Sequence, residues 1–212
     1  MISLKESLLN EVRKTTETID PKTEQEIIKF IDDNYDCGEK SISDHIAFRM
    51  ERGKILVDIS RDARTMGYRE GYIGGIFLRV RNQGIDSLTN GLFEFGNVSH
   101  GFNCSGCRLL KSLKGAPKKT GGDFNCYMCL KIKSLDGAPE KVGGNFICYT
   151  CESLMSLKGG PKEVEGDFRC YNCKKLKNLR DAPKKLGGTF YCDPEAEKQV
   201  PKSLAKQVKT TH

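Results

Sequence analysis

A unit of 22 residues recurs along the second half of this 212-residue chain and limits the folds that the chain can adopt. Aligned by cysteine, the unit is GGDFNCYMCLKIKSLDGAPEKV at 121–142, and it recurs at 143–164, at 165–186 and in part at 187–192. A shorter copy, GFNCSGCRLLKSLKGAPKKT, precedes them at 101–120. One such unit cannot bury its apolar residues alone, so we expect the units to stack as coils of a solenoid.

The apolar residues of the unit define the core of each coil. Phe and the first Cys lie two residues apart, so in a strand they share one face, and the residues around them face outward. The columns that this pattern predicts include Phe102, Phe124, Phe146, Phe168 and Phe190, then Leu113, Leu135, Leu157 and Leu179. We expect one parallel strand per unit, with coils about 4.8 Å apart.

Four regions follow from changes of composition along the chain. Residues 1–52 are predicted to be helical, because Ser3 with Glu6 forms a capping box and Asp20-Pro21 opens a second helix. Residues 53–100 alternate like strands and contain a degenerate first repeat. Residues 101–192 hold the repeats, and residues 193–212 form a C-terminal cap, or tail, that we expect to fray at Pro201.

The pattern F-x-C-x-x-C-x-x-L-x-x-L-x-x-x-P-x-x-V resembles the leucine-rich repeat, whose strand L-x-L is followed by an Asn or Cys. By this resemblance Phe146 and Cys148 stand at the two strand leucines, and Cys151 at the Asn/Cys position. The implied fold class is an α+β repeat protein, in which a small helical and strand cap precedes a short leucine-rich-repeat-like β-solenoid. Phe and Cys in place of the leucines are departures from the family pattern.

A second resemblance covers roughly residues 27–192. The segments SLTNGLFEFGNVSHGFNC (87–104) and SLDGAPEKVGGNFIC (134–148) are similar to repeat proteins encoded by large tailed bacteriophages of the T4-like kind. This resemblance implies a viral accessory protein that acts in the cytoplasm of its bacterial host. Its partner would be a host protein, for example of the defence or gene-expression machinery.

The cysteines allow two interpretations. Successive Cys-x-x-Cys pairs are eighteen residues apart, which is within the range of a four-cysteine zinc site. A metal needs four ligands at one point, whereas a repeat places the same residue in every coil. We therefore expect two buried ladders, Cys104 to Cys192 and Cys107 to Cys173, with no metal and no cofactor. A structural zinc protein is the alternative.

Outward-facing positions of the predicted strand are the candidate binding site. They include exposed aromatic and basic residues, which are over-represented at protein interfaces. The candidate protein-binding residues are Tyr127, Tyr149, Tyr171, Ile147, Arg169 and Tyr191. We expect this concave strand face to bind a partner protein. Tyrosine stacking that only stiffens the sheet would explain the same pattern.

Charge distribution suggests a nucleic-acid binder as a further alternative. Residues 101–192 carry 17 Lys/Arg against 8 Asp/Glu, whereas residues 1–100 carry 14 against 17. Lysines follow each repeat proline at 118, 119, 141, 162, 184 and 185, and a second column lies at 111, 133 and 177. A basic rim of this kind could contact phosphates, although lysine also keeps solenoids soluble.

The sequence gives little indication of catalysis or of membrane insertion. The three histidines, at 45, 100 and 212, are scattered and lack an orienting motif, so we expect a non-enzymatic protein. No apolar run approaches the roughly 20 residues of a membrane span, and the N-terminus lacks the pattern of a secretory signal. A cytoplasmic protein with reduced cysteines is therefore expected.

Overall fold

The computed structural model describes residues 19–36, 46–59, 78–80 and 84–211. The first of the two predicted N-terminal helices lies outside these residues. The second is α1 (Pro21–Asn34), which begins after Asp20 as predicted, since the Asp20 carboxylate accepts a hydrogen bond from the Thr23 amide at 3.0 Å. Two 3₁₀ helices, Pro194–Gln199 and Lys202–Gln207, lie near the other end of the chain.

The described strands are mostly only two or three residues long. In chain order they are β1 (Tyr35–Asp36), β2 (Ile46–Glu51), β3 (Lys54–Ile59), β4 (Leu78–Val80), β5 (Glu94–Val98), β6 (Phe102–Asn103), β7 (Lys119–Thr120), β8 (Phe124–Asn125), β9 (Lys141–Val142), β10 (Phe146–Ile147), β11 (Glu163–Val164), β12 (Phe168–Arg169), β13 (Lys185–Leu186), β14 (Phe190–Cys192) and β15 (Val208–Thr210).

These strands form two sheets that run side by side along a solenoid of about six turns. The sheet that contains the Phe positions, here called sheet A, has the order β1-β4-β6-β8-β10-β12-β14-β15. The second, sheet B, has the order β13-β11-β9-β7-β5-β3-β2. Within the repeats every pairing is parallel and joins equivalent residues, such as Phe124 with Phe146 and Lys141 with Glu163. The predicted α+β repeat solenoid is confirmed.

Each repeat contributes two strands, not the single strand that we predicted. The second strand covers the residues that close the unit, for example Lys141–Val142, whose valine is buried while its lysine is exposed. One buried residue gives no alternation to recognise, which is why the pattern did not reveal this strand. In the column of Val142, the hydroxyl of buried Thr120 is satisfied by a hydrogen bond to the Gly122 carbonyl at 3.0 Å.

The predicted apolar columns form the core. The Phe rings of successive coils are stacked almost parallel, with centroids 5.0 to 5.7 Å apart from Phe102 to Phe190. The leucine column and both cysteine columns are fully or almost fully buried beside them. Because every coil buries the same residues, each coil is held mainly by the coils before and after it.

The glycine pair at the corner between sheets B and A makes room for a polar ladder. The Asn145 side chain accepts a hydrogen bond from the Asp167 amide of the next coil at 2.8 Å, and the Asp167 carboxylate accepts one from the Thr189 amide at 2.9 Å. A Cβ at Gly166 would lie 2.5 Å from Asn145 Oδ1, which is too close. Glycine is therefore required for space at position 166, which follows Glu165 here and a first glycine in the neighbouring coils.

Both ends of the solenoid are closed by side chains and strands. At the N-terminal end, antiparallel β1 borders sheet A and antiparallel β2 borders sheet B, while Ile27 and Ile31 of α1 are buried in the core. At the C-terminal end, the predicted fraying at Pro201 is wrong. The chain continues through the second 3₁₀ helix into β15, which pairs with β14, and Gln207 donates hydrogen bonds to the Leu186 and Gly188 carbonyls.

Replacing Gly166 with Ala should lower the free energy of unfolding by about 2 kcal/mol, because the methyl group displaces the side-chain oxygen of Asn145 from the backbone N–H of Asp167. Urea denaturation followed by circular dichroism measures this change. Glu165→Ala is the matched control, because Glu165 is exposed and forms only a surface ion pair with Lys141, so the expected change is about 0.5 kcal/mol or less. Equal stability of the Gly166 variant and wild type would contradict the space requirement.

The tight turn inside each Cys-x-x-Cys pair contains a residue with positive φ. This residue is Gly106 in the first repeat and Asn172 in the last complete one, but Met128 and Thr150 in between, each with φ of 56°. Non-glycine residues disfavour this conformation, and a β-branched residue disfavours it most. Thr150→Asn should therefore raise the free energy of unfolding by about 0.5–1 kcal/mol in a thermal or urea denaturation series.

The reciprocal substitution Asn172→Thr provides the control for the Thr150 prediction. It places a β-branched residue with the same φ in an equivalent turn, so stability should fall by a similar amount. A Thr150→Asn variant that is no more stable than wild type, together with an unaffected Asn172→Thr variant, would contradict backbone strain in these turns.

Candidate functional site

All six residues predicted to bind a protein lie on the outer side of sheet A. Ile147 pairs in register with Arg169, and Arg169 pairs with Tyr191, so these three residues form one column across β10, β12 and β14. The three remaining tyrosines directly follow the Cys that ends each strand segment, and they form a parallel column beside it. The structure thus brings the six residues onto one surface, which we call the tyrosine face: Tyr127, Tyr149, Tyr171, Ile147, Arg169 and Tyr191.

Tyrosine rings of the second column stack on one another. The ring centroids of Tyr127 and Tyr149 are 4.4 Å apart, and those of Tyr149 and Tyr171 are 4.6 Å apart with nearly parallel planes. Burial, followed by the charge of the neighbouring Tyr149 hydroxyl, raises the pKa of Tyr171. Because the rings cover each other's faces, the column presents mainly ring edges and hydroxyl groups to a partner.

Arg169 is held in place between an acid and an aromatic ring. Its Nη2 donates to Asp167 Oδ2 at 2.9 Å, and its guanidinium carbon lies 5.5 Å from the centre of the Tyr191 ring. The hydrogen bond to Asp167 raises the pKa of Arg169, so the side chain is always charged. Its buried Nε has no hydrogen-bond acceptor within the described residues.

A change of residue type within the Ile147 column alters the backbone hydrogen bonds of the tyrosine face. In earlier coils the column contains asparagine, and the side chain accepts a hydrogen bond from the amide two residues later: Asn103 from Ser105 at 2.8 Å, and Asn125 from Tyr127 at 2.9 Å. Ile147 and Arg169 cannot accept such a bond. In the part of the chain that the structure describes, the amides of Tyr149 and Tyr171 therefore have no acceptor.

Sequence reasoning missed these two amides. The sequence does contain a signal. Asparagine stands two residues before the amide in the first coils, as Asn125 stands before Tyr127, and it is replaced in the next two coils. An Asn side chain commonly bonds the backbone two residues ahead, so the substitution by Ile and Arg implies that the amide becomes available.

Lysines that follow the repeat prolines lie in or next to sheet B, on a different side of the coil from the tyrosine face. Several are paired with acids: Lys185 with Glu163 at 2.7 Å, Lys141 with Glu163 at 3.6 Å, and Lys162 with Glu140 at 3.1 Å. The predicted basic rim is therefore partly a ladder of alternating charges. These exposed pairs add little stability, but they lower the positive potential that a phosphate would meet.

The Cys-x-x-Cys pairs form two buried ladders that share hydrogen bonds. The second cysteine of each pair donates its thiol proton to the carbonyl of the first cysteine one coil earlier: Cys129 to Cys104, Cys151 to Cys126 and Cys173 to Cys148, each at 3.2 Å. The nine described cysteines are free and buried. The thiols thus satisfy backbone carbonyls, and they need their protons to do so.

Burial of the thiols also affects their ionisation. Desolvation raises the pKa of Cys107 to about 12 and that of Cys192 to about 11, and it also raises the pKa of Cys148 and of Cys170. Zinc binds thiolates, which this environment disfavours. Among the described residues no group of three or more His, Cys, Asp or Glu side chains is placed to hold a metal ion.

One further surface feature lies beside the tyrosine face. A shallow cleft of about 490 Å³ separates the last complete repeat from the first 3₁₀ helix, with Leu176 and Ala196 at its base and Lys174, Lys177 and Glu195 around it. Asp193 also borders this cleft, but its carboxylate already accepts hydrogen bonds from the Asn172 and Cys173 amides. For the Asn172 amide, the Asp193 carboxylate replaces the backbone carbonyl of a following coil, which in the previous repeat is the Tyr171 carbonyl bound by the Thr150 amide.

The chain matches no protein-family model, no curated protein and no solved structure. None of the described helices is long and apolar enough to cross a membrane. The stacked coils and the geometry of the tyrosine face are therefore the observations from which function has to be inferred.

The raised thiol pKa values predict a fold that weakens at alkaline pH. Because the folded pKa lies above the unfolded value near 9.0, the stabilisation is complete below about pH 9 and is lost as pH rises towards 11 and 12. Urea denaturation under reducing conditions should show a constant free energy of unfolding from pH 7 to 8 and a decrease above pH 9. Cys192→Ala should reduce this decrease between pH 9 and 11.

The opposite behaviour would identify a zinc protein. If the thiols held zinc as thiolates, a chelator at pH 7 would lower the melting temperature, and stability would fall with acidification rather than with alkalinity. A melting temperature that depends on chelator would contradict the protonated ladders.

Proposed function

We propose that this chain is a non-enzymatic protein-binding module that engages its partner through the tyrosine face of sheet A. The observation that carries the proposal is the assembly of four tyrosines, one isoleucine and one arginine on one surface of a rigid stack. Such side chains dominate interface hot spots because they bury large areas at low entropic cost. The short repeated strands hold them at fixed spacing, so little order has to be gained on binding.

The resemblances found in the sequence guide the identity of the partner. The cysteine ladder, in which Cys151 donates to the Cys126 carbonyl, is what an Asn/Cys position of a leucine-rich repeat would do, and this family commonly binds proteins. The resemblance to phage repeat proteins favours a viral accessory role in which the partner is a bacterial host protein. Host defence and gene expression are both compatible with the face.

A nucleic-acid binder is the second candidate, and the geometry favours it less. Base stacking needs open aromatic faces, whereas the faces of Tyr149 are covered by Tyr127 and Tyr171. Binding a strand of phosphates needs a row of cations with a net positive potential, whereas Lys141 and Lys185 on sheet B share Glu163 between them. Tyrosines and lysines also lie on different sides of the coil, so one strand could not use both.

The proposal is tested by capture of partners from nuclease-treated bacterial extract, followed by affinity measurement with the purified partner. The test variant replaces Tyr127, Tyr149 and Tyr171 with Ser. The expected result is a protein retained by wild type whose Kd rises at least about a hundredfold with the variant, since hot-spot residues each contribute about 2 kcal/mol or more.

A matched control uses another column of the repeats. The control variant is Lys111→Ser, Lys133→Ser and Lys177→Ser. It removes three exposed side chains that lie outside the strands of both sheets, and it should leave the Kd unchanged. Circular dichroism establishes that both triple variants are folded. Capture that disappears with nuclease, or binding that depends on the lysines and ignores the tyrosines, would overturn the proposal.

A further inference from the structure

The centre of the tyrosine face holds hydrogen-bond donors without acceptors. Within the described residues these donors are the backbone amides of Tyr149 and Tyr171. The Tyr127 amide points to the outer side of the sheet, because its acceptor is the outward-facing Asn125 side chain. Since the coils repeat with the same register, the amides of Tyr149 and Tyr171 point to the same side.

These donors are close enough for one small ligand. Neighbouring coils of a sheet lie about 4.8 Å apart, so the two amides have roughly that spacing. The two oxygens of one carboxylate can each accept a hydrogen bond from donors at this separation. Arg169 lies in the coil of Tyr171 with its side chain 38% exposed, and a guanidinium with backbone amides is a common set of donors for an anion.

The charge of the face agrees with an acidic ligand. The column of Ile147 contains four charged residues, of which Arg79, Arg169 and Lys209 are basic and Asp36, at its far end, is acidic. The acids of the adjacent corner column are already used, because Asp123 accepts from the Asn145 amide and Asp167 from the Thr189 amide and from Arg169. A net charge of +7 on the chain adds a long-range attraction for acidic partners.

We infer that the Ile147 and Arg169 coils form a carboxylate-binding site, which receives an acidic side chain, Asp or Glu, from the partner protein. This inference rests on the proposed function and specifies the chemistry of the partner. The Ile147 and tyrosine side chains surround the carboxylate with apolar groups, which strengthens hydrogen bonds to it. A polyphosphate strand fits less well, because it needs a continuous row of cations, whereas the three basic residues of this column are separated by uncharged ones.

The test is an amide chemical-shift titration of the ¹⁵N-labelled full chain. The probe is a capped pentapeptide with one central Glu, and the matched control peptide has Gln in its place. The Glu peptide should move the amide resonances of Tyr149 and Tyr171, whereas the Tyr127 amide, already bonded to Asn125, should stay in place as an internal control. The Gln peptide should have little effect.

Two variants separate the donors. Ile147→Asn supplies the Tyr149 amide with the internal acceptor seen for Tyr127, so it should abolish the Tyr149 response and leave the fold intact. Arg169→Gln should weaken binding of the Glu peptide about tenfold, because one charge-assisted hydrogen bond is lost. The spectra themselves report whether each variant is folded.

Several outcomes would overturn the carboxylate site. They are equal shifts with the Glu and Gln peptides, a Tyr127 amide that moves with the others, unchanged affinity in Arg169→Gln, or a larger response to single-stranded DNA than to the Glu peptide. If the Glu peptide has no effect while partner binding still depends on the tyrosines, this inference is wrong and the proposed function stands. If the Glu peptide binds and partner capture ignores the tyrosines, the proposed function alone fails.

Discussion

Stacking of identical side chains at the spacing of neighbouring strands is the interaction on which the whole structure depends. The repeat strands are only two or three residues long, so no coil could hold its shape alone. The parallel Phe rings, 5.0 to 5.7 Å apart, and the thiol-to-carbonyl bonds of the cysteine ladder join each coil to the next. The stacked Phe rings and the cysteine ladder run through the interior, so the outer positions are free to vary without weakening the stack.

This division between a uniform core and a variable surface also explains how much the sequence could predict. The 22-residue period revealed the Phe, Cys and Leu columns, because each column repeats one residue type that must be buried. It did not reveal sheet B, where Lys141–Val142 offers one buried residue and no alternation. Nor did it reveal why glycine is needed at position 166, because the requirement comes from the Asn145 side chain of the preceding coil.

The candidate site shows the same pattern of success and failure. Outward-facing residues follow from strand alternation, so the six members of the tyrosine face were predictable, and the structure places them together. Their hydrogen bonds were not predictable, because the amides of Tyr149 and Tyr171 lose their acceptors only by comparison with the Asn125 coil. At the C-terminus, Pro201 predicts fraying, but buried Leu204 anchors the segment that follows it.

Native-state hydrogen exchange of the free protein tests the stacked-coil account most directly, because it measures each amide separately. The account predicts protection that recurs every 22 residues, at Phe102, Phe124, Phe146 and Phe168, whose amides each donate to the following coil. It also predicts fast exchange at Tyr149 and Tyr171 beside a slower Tyr127. Protection without the 22-residue period, or equally slow exchange at all three tyrosines, would contradict both the coil register and the donors on the tyrosine face.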